Sequence, residues 1–154
     1  MSALERLMYS WPIRRDAEAE RLLDLKIEAT RMFSLTGTTV ASQTWGLHLA
    51  EGAPPCIDAL LLVLDCCHRP GEHRMIERRA IVAREFEGPT AARVRLMPVE
   101  AQWLDRELGR ESPDHVRLRG LLSWSAFRHA ETAVSCQGEL AWRAKTEFPD
   151  LRLN

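Results

Sequence analysis

Lysine is nearly missing from this chain. Of its 21 basic residues only Lys26 and Lys145 are lysine, and the rest are arginine. Two causes produce such a skew. Arginine's rigid fork of donors suits phosphate and carboxylate, which points to a polyanionic partner. A genome rich in G and C favours arginine codons, together with the Ala, Leu, Val and Glu abundant here, and that cause carries no function. Long apolar runs are also lacking. The longest, Ile57 to Leu64, is broken by Asp58 and falls short of the roughly 18 residues of a membrane span. The opening, MSALERLMYSWPIRRDAEAE, has no basic, apolar leader. These absences predict a cytoplasmic protein with no membrane partner and free thiols at Cys56, Cys66, Cys67 and Cys136.

Catalytic signatures are missing as well. No GxSxG, Walker loop, GxGxxG or HExxH occurs, which argues against the common enzyme classes. No cofactor and no metal is expected. Adjacent Cys66 and Cys67 would point about 100° apart on a helix, and no second ligand pair completes a tetrahedron. The remaining enzymatic possibility is an acid–base pair at His68, Glu72 and His73.

What is present suits one ordinary domain. The chain has 154 residues, 45% apolar and 28% charged, enough for a single core. Residues 1–154 read as one helical domain, with a segment 1–14 and a tail 149–154 that could be mobile. Net charge is −1, but it is unevenly spread. Residues 1–68 carry six basic and nine acidic groups, and residues 69–128 carry twelve and nine. A polyanion would be met by the middle of the chain.

Apolar spacing predicts a helix over 15–33, with Leu22, Leu25, Ala29 and Met32 as its stripe, widened by Leu23 and Ile27. A central buried helix is expected over 56–68, and further helices over 72–86, 98–108, 113–130 and 131–148. Segment 40–50 reads as either a short helix or a strand. Residues 91–97 alternate charged and apolar and make the best strand candidate. Its natural partner, 80–86, lies inside the expected helix 72–86, so a small β-hairpin around 80–97 is the alternative. The fold class is mainly α, a compact bundle of six or seven helices.

On a helix over 72–86, Arg74 and Arg78 stand one turn apart with Arg79 beside them. Arg69 extends that face, and Arg117 and Arg119 could join it. Such a face could bind phosphates without reading bases, unless Glu72, Glu77 and Glu85 pair with it internally. Trp11, next to Pro12 and Arg14, is the best candidate for an exposed protein-contact anchor. The reading is a non-enzymatic subunit of a larger assembly, a nucleoprotein complex. It would contact an RNA or DNA backbone, or an acidic partner, beside other protein subunits. A protein-binding adaptor or chaperone without a nucleic-acid role is the alternative.

Overall fold

The computed structural model describes residues 2–14, 17–67, 71–86 and 92–130. It contains a five-stranded sheet: β1 (Leu4–Pro12), β2 (Thr36–Ala41), β3 (Trp45–Gly52), β4 (Arg74–Ile81) and β5 (Ala92–Val94), in the order β4-β1-β3-β2-β5. Helices α1 (Ala17–Met32), α2 (Pro54–Cys67) and α3 (Pro98–Leu108) are joined by α4, over 115–130. The strands β4, β1, β3 and β2 pair antiparallel with their neighbours, whereas β5 runs parallel to β2.

The mainly-α expectation is therefore overturned. β1 lies in the middle of the sheet and is covered on both faces. A strand buried on both sides has no simple polar–apolar alternation, so its period of two is invisible in the sequence. Leu7, Tyr9 and Trp11 turn to one face, and Arg6, Met8 and Ser10 turn to the other. The expected helix over 72–86 is strand β4. It pairs with β1 from Ile81 to Arg74, with a bulge opposite Met8 and Tyr9. Its arginines suit an edge strand, where charge discourages pairing with other chains. The candidate strand 91–97 is realised as β5, but beside β2 rather than in a hairpin with 80–86.

α1 and α2 cover one face of the sheet. Leu7, Tyr9, Trp11, Leu23, Ile27, Ala29, Ile57, Leu60 and Leu64 form its core. α3 and α4 cover the other face, over Met8, Val40, Leu47, Leu49, Val94, Leu104, Leu108, Leu118 and Leu122. Arg128 of α4 pairs with Glu100 of α3, whose carboxylate also accepts the Met97 N–H at the helix start. The end of α1 turns through Ser34 at φ 56°, in the left-handed region, and Leu35 N–H donates back to Thr30 O at 3.0 Å.

The buried face of α1 keeps Leu23, Ile27 and Ala29 of the expected stripe but is turned away from its Leu25–Met32 side. Leu23, Lys26, Ile27 and Thr30 face inward, while Leu25 and Met32 are exposed. One of the chain's two lysines thus enters the core.

Candidate functional site

The polar groups enclosed between α1 and the sheet form the most unusual local environment in the molecule. β1 supplies Tyr9 and Trp11, α1 supplies Lys26 and Thr30, β2 supplies Thr39 and β3 supplies His48. Thr39 and His48 are direct cross-strand partners, so the sheet register sets their contact. Gly46 lies opposite Trp11, and a β-carbon there would stand 2.2 Å from the indole. The glycine thus makes room for the ring.

The hydrogen bonds fix the state of His48. Thr30 Oγ1 donates to Lys26 O at 2.8 Å, so its proton is committed. The 3.1 Å contact between Thr30 Oγ1 and His48 Nε2 then requires Nε2–H to be the donor. Nδ1 is left as the acceptor for the Thr39 hydroxyl, 2.5 Å away. His48 is a neutral imidazole with both nitrogens satisfied. Burial, and secondarily the nearby Lys26, push its pKa down to about 3.

Lys26 is held differently. It is 1% exposed, and its Nζ stands 3.2 Å from the centre of the Trp11 ring and 5.9 Å from that of Tyr9. Nζ has no hydrogen-bond acceptor among the described residues, and the Tyr9 hydroxyl likewise has no partner there. Burial pushes the Lys26 pKa down to about 6, against the pull of Cys67 and Glu72 in the other direction. Burial also raises the Tyr9 hydroxyl well above its ordinary value, and Cys67 adds to this. Tyr9 lies 5.3 Å from the His48 ring and meets His73 edge-on at 6.4 Å.

The opposite face holds paired charge. Arg6 Nε donates to Glu51 Oε1 at 2.8 Å, and Arg6 NH2 donates to Glu85 at 2.9 Å. Glu51 Oε2 accepts the backbone N–H groups of Glu85 and Phe86. Ser123 of α4 donates to Glu85, and Arg119 lies 3.6 Å from it. These bonds connect β1, β3, the segment after β4 and α4.

The arginines singled out in the sequence fall on two faces of β4. Arg78 pairs with Glu5 and with Asp58 of α2. Arg74 turns to the α3 side, where it donates to Leu108 O and Arg110 O. Arg79 and Arg119 both lie 3.7 Å from Glu77, and Arg117 stands over the Trp103 ring. Arg69 and His68 lie outside the described residues. Trp11 is 5% exposed, inside the core beneath Lys26. His73 contacts Asp65, and Glu72 pairs with Arg14.

Tyr9, Lys26, Thr30, Thr39 and His48 were missed in the sequence reading. One signal could have found Lys26: it lies three residues after Leu23 and four before Thr30, on the face that proves to be inside.

No protein-family model and no curated protein matches the sequence. The fold itself does have solved counterparts. The order β1-α1-β2-β3-α2-β4, with β1 and β3 central, is a ferredoxin-like arrangement, here in the form found in BLUF domains, which are flavin-binding light sensors. The BLUF protein BlrB, in its dark state, superposes with a TM-score of 0.62 at 21% identity, covering 81% of this chain and 98% of that one. A bacterial light-regulated adenylyl cyclase matches with a TM-score of 0.57 at 18% identity over 79% of this chain, which spans 40% of the cyclase's length. Klebsiella pneumoniae BlrP1, solved with FMN and cyclic diGMP, gives 0.53 at 18% identity, covering 81% of this chain and 36% of that one. Likeness at these identities establishes the fold.

That fold overturns the nucleoprotein-subunit and adaptor readings. The helix that was to carry an arginine face does not exist, and alternation along β4 sends Arg78 and Arg79 to opposite sides. The neighbours are light-sensing domains, so neither a helical bundle nor nucleic-acid binding is supported.

The fold raises the question of a flavin. A flavin presents three fused rings with acceptors along one edge, and the Tyr9 hydroxyl and Lys26 amine are donors of a suitable kind. Space is lacking. Tyr9, Thr30, Thr39 and His48 are 0% exposed, so not even a water-sized sphere touches them. Leu7, Ile57, Leu60 and Leu64 around them are equally closed. A tricyclic ring would have to displace Lys26 and Trp11. As packed, these residues do not fit a flavin.

Proposed function

We propose that this chain is a sensory input module of the BLUF fold that regulates a protein effector, with the Tyr9–Lys26–His48 cluster as its receiving element. The observation that carries this reading is the pair of buried donors, Tyr9 Oη and Lys26 Nζ, without acceptors among the described residues. Burying such groups unpaired costs on the order of 1–3 kcal/mol each. A fold tolerates that cost chiefly where the group does something. The same strand leads onward: Tyr9 alternates with Arg6 and Met8, and Arg6 reaches Glu85 and through it α4. A change felt at Tyr9 therefore has a short mechanical route to the far face. The match to part of a light-regulated cyclase supports an effector as the partner. No described helix is long and apolar enough to cross a membrane.

The input does not pass through a resident flavin, because the cluster is filled by the chain's own side chains. The test is the blue-light absorption of the purified chain, before and after addition of FMN. The expected result is no flavin band and no FMN binding. A stoichiometric flavin with a light-dependent spectral shift would replace this reading with a photoreceptor.

A further inference from the structure

We infer that Lys26 is a two-position proton switch: neutral, it lies in the core on the Trp11 ring; protonated, it leaves the ring for the Glu72 carboxylate just beyond α2. This deepens the sensory reading by naming its input, and rests on that reading only for the output.

The geometry shows the first position, and the pull of the nearby Glu72 carboxylate on the amine points to the second. In the core position Nζ sits on an indole face, and no oxygen of the described residues accepts its hydrogens. A neutral amine tolerates that setting, and an ammonium loses its hydration there. The groups facing Lys26 are Tyr9 from β1, His48 from β3, Cys67 from the end of α2 and, after it, Glu72, with His73 against Tyr9. His48 is committed as a neutral ring by its two threonines. Cys67 and Glu72 both favour the charged amine, and both lie toward the end of α2. Glu72 already holds Arg14 at 2.5 Å, so it is a carboxylate in place to receive a second cation. The four-carbon side chain of lysine has the reach and freedom for a swing of this kind. Proton uptake near pH 6 would drive it. When Lys26 leaves, Trp11 loses its cover, and the seam between α1 and the end of α2 loosens.

The scarcity of lysine makes the test clean. Labelling the lysine side-chain carbons of the full chain gives two signals, Lys26 and Lys145. The variant His73→Gln is measured alongside, so that the neighbouring imidazole does not contribute. The switch predicts that Lys26 titrates near pH 6, that the Trp11 indole signal moves with the same midpoint, and that amide exchange across 54–67 speeds up by about tenfold on the acid side after correction for intrinsic rates. In Lys26→Met, a core-compatible replacement, the indole and exchange changes should vanish. Lys26 titrating at the ordinary value near 10.5 would overturn the proposal. So would titration near 6 with Trp11 and α2 unmoved. Exchange in α4 is read in the same experiment. If α4 stays silent while Lys26 and Trp11 respond, the switch stands and the sensory reading fails.

Discussion

The two faces of the sheet hold their central polar groups differently, although the α3–α4 side also leaves Ser10, Thr38 and the Glu77 carboxylate without hydrogen bonds among the described residues. On the α3–α4 side, Arg6 and Glu51 are charged and joined to each other, to Glu85 and to backbone N–H groups. On the α1–α2 side, Tyr9 and Lys26 are enclosed with no hydrogen-bond partner among the described residues. Burial is nearly complete in both places. Paired charge fixes a geometry and punishes any change to one partner. An unpaired neutral group gains nothing from where it sits and is ready to respond when a proton or an acceptor arrives. On the proposed reading, the Arg6–Glu51 pair is the part that stays and the Tyr9–Lys26 cluster the part that changes.

Substitutions on the two faces should differ in sign as well as size. Arg6→Ala strands the Glu51 carboxylate in the core and should cost about 3–5 kcal/mol, read from denaturant midpoints. A loss below about 1 kcal/mol would remove the contrast. Lys26→Met should act the other way, raising stability at neutral pH by about 2 kcal/mol. The sign with pH follows from linkage. The unfolded lysine holds its proton up to about pH 10.5, whereas the folded one releases it above about 6. Between those values unfolding takes up a proton, so stability rises with pH from this group by at most about 1.4 kcal/mol per unit. The advantage of Lys26→Met over the natural chain should accordingly shrink between pH 7 and pH 9, and denaturation at both values checks it. His48 adds to acid sensitivity, because it stays neutral in the fold down to about pH 3. The smallest effect belongs to Tyr9→Phe, which removes a buried hydroxyl with no hydrogen-bond partner among the described residues and should raise stability by about 1 kcal/mol. A large loss there would mean that the hydroxyl is satisfied, and the two faces would then be alike.

Much of the helical content was legible in the sequence. Helices α1 to α4 fall close to the spans expected from apolar spacing, proline and capping signals. Of the strands, β5 was expected within 91–97 and segment 40–50 was open between helix and strand, while β1 and β4 were read as helical. β1 and β3 are buried on both faces, so a run such as LERLMYSWP shows no alternation. β4 has the opposite difficulty: its arginines and glutamates mimic the spacing of a solvated helix, and only pairing with β1, far away in sequence, makes it a strand. The cluster was hidden by the same long-range assembly. His48 meets Thr30 and Thr39 through sheet register and helix docking, neither of which leaves a local motif. Lys26 was missed because the expected stripe, right at Leu23, Ile27 and Ala29, leaned toward Leu25 and Met32 instead. A polar residue at a core spacing is easily assigned to the surface, because burial of lysine is rare.

The central place of β1 bears on how the molecule is made. Its neighbours in the sheet are β3 and β4, and Arg6 ends in contact with Glu85, 79 residues further on. During synthesis the strand bearing Leu7, Tyr9 and Trp11 emerges before either neighbour exists. Its apolar residues and unpaired backbone must wait until β4 is out, with the loop-closure entropy of a distant partner still to be overcome. A strand translated before both of its partners is thus sheltered late, and it is then that a nascent chain is most open to capture by a chaperone or by another copy of itself.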